Sequence, residues 1–291
     1  MRKILCVGLI LLIFVDTSFG KTRIVASIFP FYDFTRQVVK ERADVHLLVG
    51  ADVDPHHFEP KPSDFLEIRR ADFFVYGGSE IEPWAAKIIK GIISERPYIV
   101  PLGEGLDLAY SGKGVKDPHV WLDLTYVERM VVTLMESLSQ KDPGNGDFYR
   151  KNGKLYIEKI RQLDRKFERT LSSCKVKTIV HAGHYSFGYL AKRYGLGYFA
   201  AYPPHMESDV QPKKVWKMKD ILKKNRAKFV FYEESKNRKL AEKLAKELGI
   251  EILPLNPGHS VSKKDLEGGI TFEKIMENNL QSLRKGLECN P

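Results

Sequence analysis

The stretch KTIVHAGHYSFGYLAKRYGLGYFAAY, Lys177–Tyr202, decides the fold. Its first part, KTIVHAG, is a short apolar run that predicts a strand; Phe187–Tyr194 predicts a helix and GYFAAY a second strand. Strand, helix and strand in succession predict a parallel crossover unit. Strands that stay apolar on both faces are those of a sheet covered by helices on both sides. The alternation continues to the C-terminus. A helix follows Pro212, then KFVFYEE as a strand, Arg238–Leu248 as a helix, EILPL as a strand and a last helix over Thr271–Leu287.

Upstream, a first series has the same form. RIVASIF (Arg23–Phe29) is a strand, Tyr32–Glu41 a helix, VHLLVG a strand and Ser63–Ala71 a helix. FFVYGG is a strand that stops on Gly77-Gly78; Pro83–Ser94 is a helix and YIVPL a strand. Between the two series, Phe148, Tyr156, Ile160, Leu163, Phe167 and Leu171 keep one apolar face over Asp147–Leu171, just after the breaker KDPGNGD. At 1.5 Å per residue that helix is about 35–40 Å long, enough to span both lobes. The predicted architecture is α/β: two parallel-sheet lobes joined by one long rigid helix, with limited lobe motion. The expected divisions are a leader at 1–20, an N-terminal lobe at 21–142, the connecting helix at 143–174 and a C-terminal lobe at 175–291.

The leader is read from MRKILCVGLILLIFVDTSFGKT. Arg2 and Lys3 precede an apolar run, Ile4–Val15, and Ser18-Phe19-Gly20 offers small residues for cleavage before Lys21. The run is short for a membrane span, which needs roughly 20 residues. Cys6 leaves with the leader, so Cys174 and Cys289 remain, a pair that either a disulfide or two thiols satisfies. The net charge of +10 is spread through mixed stretches such as KDILKKNRAKF, unlike the concentrated basic stripe of a nucleic-acid binder. No nucleic-acid partner is expected, and attraction to an anionic membrane surface stays open.

The histidines carry the functional signal. Seven of the eight fall at strand ends or in the loops that follow, and in open α/β sheets those carboxyl ends form the ligand crevice. GADVDPHHFEPKPSD, Gly50–Asp64, follows the second strand, and DPHVWLD, Asp117–Asp123, follows YIVPL. Both contain Asp-Pro-His, in which proline restrains the loop that presents the imidazole. HAGHYSFGY and NPGHS follow the first and last strands of the second lobe. Corresponding loops thus deliver His56, His119, His184 and His259 to a cleft between the lobes. Three or four imidazole nitrogens suit a tetrahedral zinc site.

With these loops in view, the chain resembles the zinc- and manganese-specific solute-binding proteins of bacterial ABC importers. GADVDPHHFEPKPSD looks like that family's Pro-His-x-x-Glu-Pro loop and DPHVWLD its Asp-Pro-His-x-Trp loop. HYSFGYLAKRYGL resembles its third-ligand segment and ESDVQPKKV the Glu-rich stretch after it. The resemblance covers essentially the whole chain after the leader. It implies His56, His119 and His184 as ligands, and a histidine at the third position favours Zn²⁺ over Mn²⁺, which prefers oxygen. At the fourth position the family commonly has an aspartate. Here Asn256 stands near that place, and His259 replaces it in our reading, with water, Glu207 or Asp265 as the alternatives. The long His-rich loop of some zinc-binding relatives is absent, SGKGVK standing there instead.

The remaining residues have supporting parts in this reading. Glu59 fixes its loop by accepting a hydrogen bond, Glu207 orients a ligand imidazole, and His181 is partly buried and satisfied at the strand end. His57 is a neighbour of the ligand, His205 lines the rim, and Trp121 and Tyr202 pack around the site. The expectation is an exported, periplasmic or extracytoplasmic, monomeric protein that binds a divalent transition metal and passes it to an ABC-transporter permease, without catalysis. A Mn²⁺-specific binder of the same type, a zinc-dependent hydrolase and an adhesin-like surface protein are the rival readings.

Overall fold

The apolar runs pair into two parallel sheets whose strands are buried from both sides. The structure, a computed structural model, describes residues 21–92, 97–111, 114–204, 210–233 and 238–290. The leader, His205 and Glu207 lie outside the described residues. In the N-terminal lobe, β1 (Thr22–Ala26), α1 (Phe29–Val39), β2 (Ala43–Leu47), α2 (Pro62–Arg69), β3 (Phe73–Tyr76), α3 (Pro83–Gly91) and β4 (Tyr98–Pro101) alternate. Two consecutive helices follow, α4 (Leu124–Lys141) and α5 (Gly146–Ser172). The C-terminal lobe comprises β5 (Thr178–His184), α6 (Gly188–Arg193), β6 (Gly197–Tyr202), α7 (Pro212–Lys224), β7 (Phe229–Glu233), α8 (Lys239–Leu248), β8 (Glu251–Leu255), α9 (Lys263–Glu267) and α10 (Phe272–Gly286).

The sheets have equivalent strand orders, β2-β1-β3-β4 and β6-β5-β7-β8, with every pairing parallel. Side chains alternate across each strand. Ile24, Ala26, Phe73 and Val75 therefore enter the main core, while Val25, Phe74 and Tyr76 enter a second one on the opposite face. In each lobe the chain steps to one side of the first strand and then back to the other. That reversal opens a crevice at the carboxyl ends, beside β1 and beside β5.

Two elements differ from the sequence-based expectation. The first strand ends at Ala26 and α1 begins at Phe29, because Pro30 has the fixed φ and missing N–H that suit a first helical turn. The long connecting helix is α5, and α4 is an additional helix that the periodicity reading leaves out. α4 lies along α5, capped by Asp123, whose side chain accepts from Thr125 N at 2.9 Å. The helices approach so closely that a Cβ on Gly153 would come within 2.6 Å of Met135 Sδ. α5 itself has 27 residues, and Tyr156, Ile160, Leu163, Phe167 and Leu171 are buried along it as its periodicity predicts; Tyr149, not Phe148, completes the stripe.

The main core is continuous across the lobes. It contains Phe34 of α1 and Phe272 of α10, whose rings meet edge to face at 5.1 Å, and Phe31 against Trp121 at 5.9 Å. Hydrogen bonds cross at the same place. Phe272 N donates to Asp33 Oδ2 at 2.9 Å and Asp52 N to Val261 O at 2.9 Å. Wide separation of the lobes would break this shared core.

Two further features hold the frame. Glu82, buried at the start of α3, accepts from Ser27 Oγ at 2.8 Å and Gly77 N at 2.6 Å, tying the ends of β1 and β3 together. Burial pushes its carboxyl up to about 7 although both bonds pull the other way. Cys174, after α5, is disulfide-bonded to Cys289, 115 residues away.

Each feature has a measurable consequence. Closing so long a loop restricts the unfolded chain, so Cys289→Ser should lower unfolding free energy by about 2–5 kcal/mol. An unchanged denaturant midpoint would contradict that. For Glu82 the folded form binds its proton more tightly than the unfolded form does. Stability should therefore fall as pH rises from about 4.5 through about 7, by about 3 kcal/mol from this group. Glu82→Gln keeps an acceptor oxygen and should flatten that slope; an identical pH profile in the variant would refute the assignment.

Candidate metal centre

The carboxyl edges supply four imidazoles, three from loops and one from the end of a strand. After β2, Asp54 Oδ1 accepts from His56 N at 2.9 Å, and Pro55 opens a single 3₁₀ turn over Pro55–His57. That pair fixes the backbone that carries the His56 ring. His57 is exposed and its Nδ1 bonds Asp54 Oδ2 at 3.2 Å. After β4, Asp117 Oδ1 accepts from His119 N at 3.1 Å and from the His119 ring Nδ1 at 2.7 Å. One carboxylate oxygen thus holds both the backbone and the ring. Trp121 packs 5.4 Å from that ring, and its Nε1 donates to Pro257 O at 2.7 Å across the lobes.

His184 is the last residue of β5, and its Nδ1 donates to Glu233 Oε2 at the end of β7. The pairing of β5 with β6 shifts register between His181 and His184. Gly183 lies in that irregularity, where a Cβ would sit 2.5 Å from the His181 ring and 3.1 Å from Glu233 Cβ. Only glycine lets the three side chains crowd together. In the loop after β8, Asn256 Oδ1 accepts from Gly258 N at 2.8 Å while Asn256 N and O bond Asn279 of α10. Asn256 shapes the turn, and the turn delivers a buried His259.

The four rings converge. His56 Nε2 and His184 Nε2 each lie 3.1 Å from His119 Nε2, and one ring nitrogen of each of the four histidines falls within a 4.8 Å spread. A tetrahedral ion with bonds of 2.0–2.1 Å would set its donors about 3.3 Å apart. The six separations between ring centroids run only from 5.0 to 5.7 Å. Four points with six nearly equal separations form a tetrahedron; in a square the diagonals would be much longer than the sides. His119, His184 and His259 are buried, and partly exposed His56 borders a cavity of about 280 Å³ lined also by Phe58, Glu82, Trp84 and Trp121.

The two carboxylates fix which nitrogen points inward. With the Nδ1 proton held by Asp117 or Glu233, His119 and His184 present Nε2 lone pairs to the centre. Burial raises the Glu233 carboxyl, but the charge of His184, its hydrogen bond, and His259 and His181 outweigh this and bring it to about 2. Burial dominates at Asp117 and pushes it up to about 7 against the bond from His119 and the charge of His184. His181 is fully buried, its Nδ1 near His184 O and Tyr198 Oη at 3.2 Å, and burial lowers it to about 4, so it is neutral.

Among the expected supporting residues, Glu59 is exposed, and the acceptor that fixes its loop is Asp54. Glu207 lies outside the described residues; the orienting carboxylates seen are Asp117 and Glu233, which sequence reasoning missed. Asp117 heads the same Asp-Pro-His motif that flagged His119. Glu233 was marked only by an acidic end on an apolar strand.

The family model described as the periplasmic zinc-uptake complex component A, ZnuA, matches residues 24–286. The chain belongs to the ZnuA family. A high-affinity zinc uptake system protein ZnuA of Bacillus subtilis is 31% identical over 286 residues, covering 94% of this chain and 89% of that protein. The zinc-binding lipoprotein AdcA of Streptococcus pneumoniae is also 31% identical, and this chain spans only 56% of its length. The crystal structure of the Zn(II)-bound ZnuA-like domain of that AdcA superposes with a TM-score of 0.81 at 32% identity, covering 92% of this chain and 100% of that one. The ZnuA fold, two parallel-sheet lobes with a long helix between them, is the one described above.

The orienting carboxylates give a direct test. Asp117→Asn and Glu233→Gln keep shape but remove the anionic acceptor, and each should weaken metal binding at the cluster about 10–100-fold. Competition with a fluorescent chelator reads this; wild-type affinity in both variants would reduce the carboxylates to packing.

Proposed function

We propose that this protein captures Zn²⁺ outside the cytoplasm and passes it to an ABC-type membrane permease, with His56, His119, His184 and His259 as the four ligands. The near-regular tetrahedron of four imidazoles carries the proposal. Zinc takes four nitrogen donors in that geometry, whereas manganese is better served by six oxygens. The relatives named above, a zinc uptake protein and a Zn(II)-bound domain, support the choice of metal. The ZnuA family is one of substrate-binding proteins rather than enzymes. Four histidines on one ion leave neither the open coordination position nor the poised base that a zinc hydrolase requires.

Capture and release follow from where the ligands stand. His56 and His119 belong to the N-terminal lobe, His184 and His259 to the C-terminal lobe. The ion is therefore held two and two, and a small displacement of one pair of loops halves its coordination. His56, partly exposed beside the cavity, is the side from which the ion arrives and leaves. The protein works as a single chain delivered by the leader; no helix among the described residues is long and apolar enough to cross a membrane.

His56→Ala and His119→Ala should each lower zinc affinity by orders of magnitude while circular dichroism stays native. Unchanged calorimetric affinity in both would sink the proposal. X-ray absorption on protein purified without added metal should show zinc with four nitrogen neighbours at about 2.0–2.1 Å. Six oxygen neighbours would instead favour the manganese reading.

A further inference from the structure

One surface of the C-terminal lobe has no part in the metal site. α7 buries Met218 and Leu222 against the lobe, and its opposite side carries Trp216, which is 72% exposed, more than any other large hydrophobic side chain among the described residues. Lys213, Lys217, Lys223 and Lys224 are exposed too, and at 3.6 residues per turn they share the Trp216 face. The one acid on that face, Asp220, is paired with Lys224 at 2.9 Å. Lys217 lies 5.1 Å from the Phe199 ring, and Lys219 lies 5.6 Å from the Trp216 ring and is paired with Glu247. Lys214 Nζ donates to Ala201 O near the end of β6, so the first turns of α7 lie at the carboxyl edge of the sheet, the edge that carries His184.

We propose that this face of α7 docks the C-terminal lobe on an anionic phospholipid surface. Tryptophan beside lysines is the pairing that suits a membrane interface, the ring lying at headgroup depth and the ammonium groups reaching phosphates. Each lysine close to such a surface strengthens the attraction about fivefold. All six cations of α7 are lysines. Arginine's rigid fork fits a fixed partner, whereas flexible point charges suit headgroups that move.

The test uses the zinc-loaded chain beginning at Lys21, with vesicles of phosphatidylcholine alone or mixed with phosphatidylglycerol. At low ionic strength, binding to the mixed vesicles should be at least about tenfold tighter, should weaken as salt rises, and should shift tryptophan emission to the blue. The shift should vanish in Trp216→Phe, since Trp84 and Trp121 remain. The triple variant Lys213→Glu, Lys217→Glu, Lys223→Glu should lose the preference while zinc affinity stays that of the wild type. Equal partition onto both vesicles, or a preference untouched by the triple variant, overturns the proposal. On native membranes, a photoreactive group at position 216 that labels proteins and not lipid overturns it in favour of a protein partner.

Discussion

Four imidazole lone pairs aimed at one buried point oppose one another, and the structure must hold them there before any cation arrives. Isolated loops would relax away from such an arrangement. Here the His119 and His184 rings are held from behind by Asp117 and Glu233, and the backbone that carries His56 and His259 is held by Asp54 and by the Asn256–Asn279 pair. Those fixtures hold position only because the lobes share a core, with Phe34 on Phe272 and Trp121 bonded to Pro257. The incoming ion then meets a set of donors already close to its preferred spacing, so little ordering remains to oppose binding.

The electrostatics of the two lobes differ. Glu233 faces His184 with His181 and His259 nearby, and stays ionised. Asp117, as deeply buried, has fewer opposing interactions, and its carboxyl is pushed up to about 7. A divalent charge at the centre favours the ionised form of both, so binding strengthens the hydrogen bonds that orient its own ligands. The carboxylates thus take part in the site without touching the metal.

Much of this was legible in the sequence, for physical reasons. Continuous apolar strands and the 3.6-residue stripe of α5 report burial directly, so the two lobes and their long helix could be read from periodicity. Asp-Pro-His marks a restrained loop, which exposed His56 and His119. His259 could be placed because the loop after the last strand must end at the same crevice. Contacts between distant segments left no such mark. Glu233 meets His184 across two strands, and the core that unites the lobes depends on which helices face each other. α4 has a readable stripe of its own, with Val127, Met130, Leu134 and Leu138 buried. At Glu59 composition misled: an acid in the right loop was chosen, while Asp54, closer to the turn, makes the bond.

The wide spacing of the histidines also bears on when the protein first meets its cargo. The four come from the loops after β2, β4 and β8 and from the end of β5, so no two of the converging rings are neighbours along the chain. An extended polypeptide brings none of them together, and Cys289 pairs with Cys174 only when the last turn of the chain has formed. The unfolded chain therefore carries no assembled site, and the four rings come together only as both lobes fold.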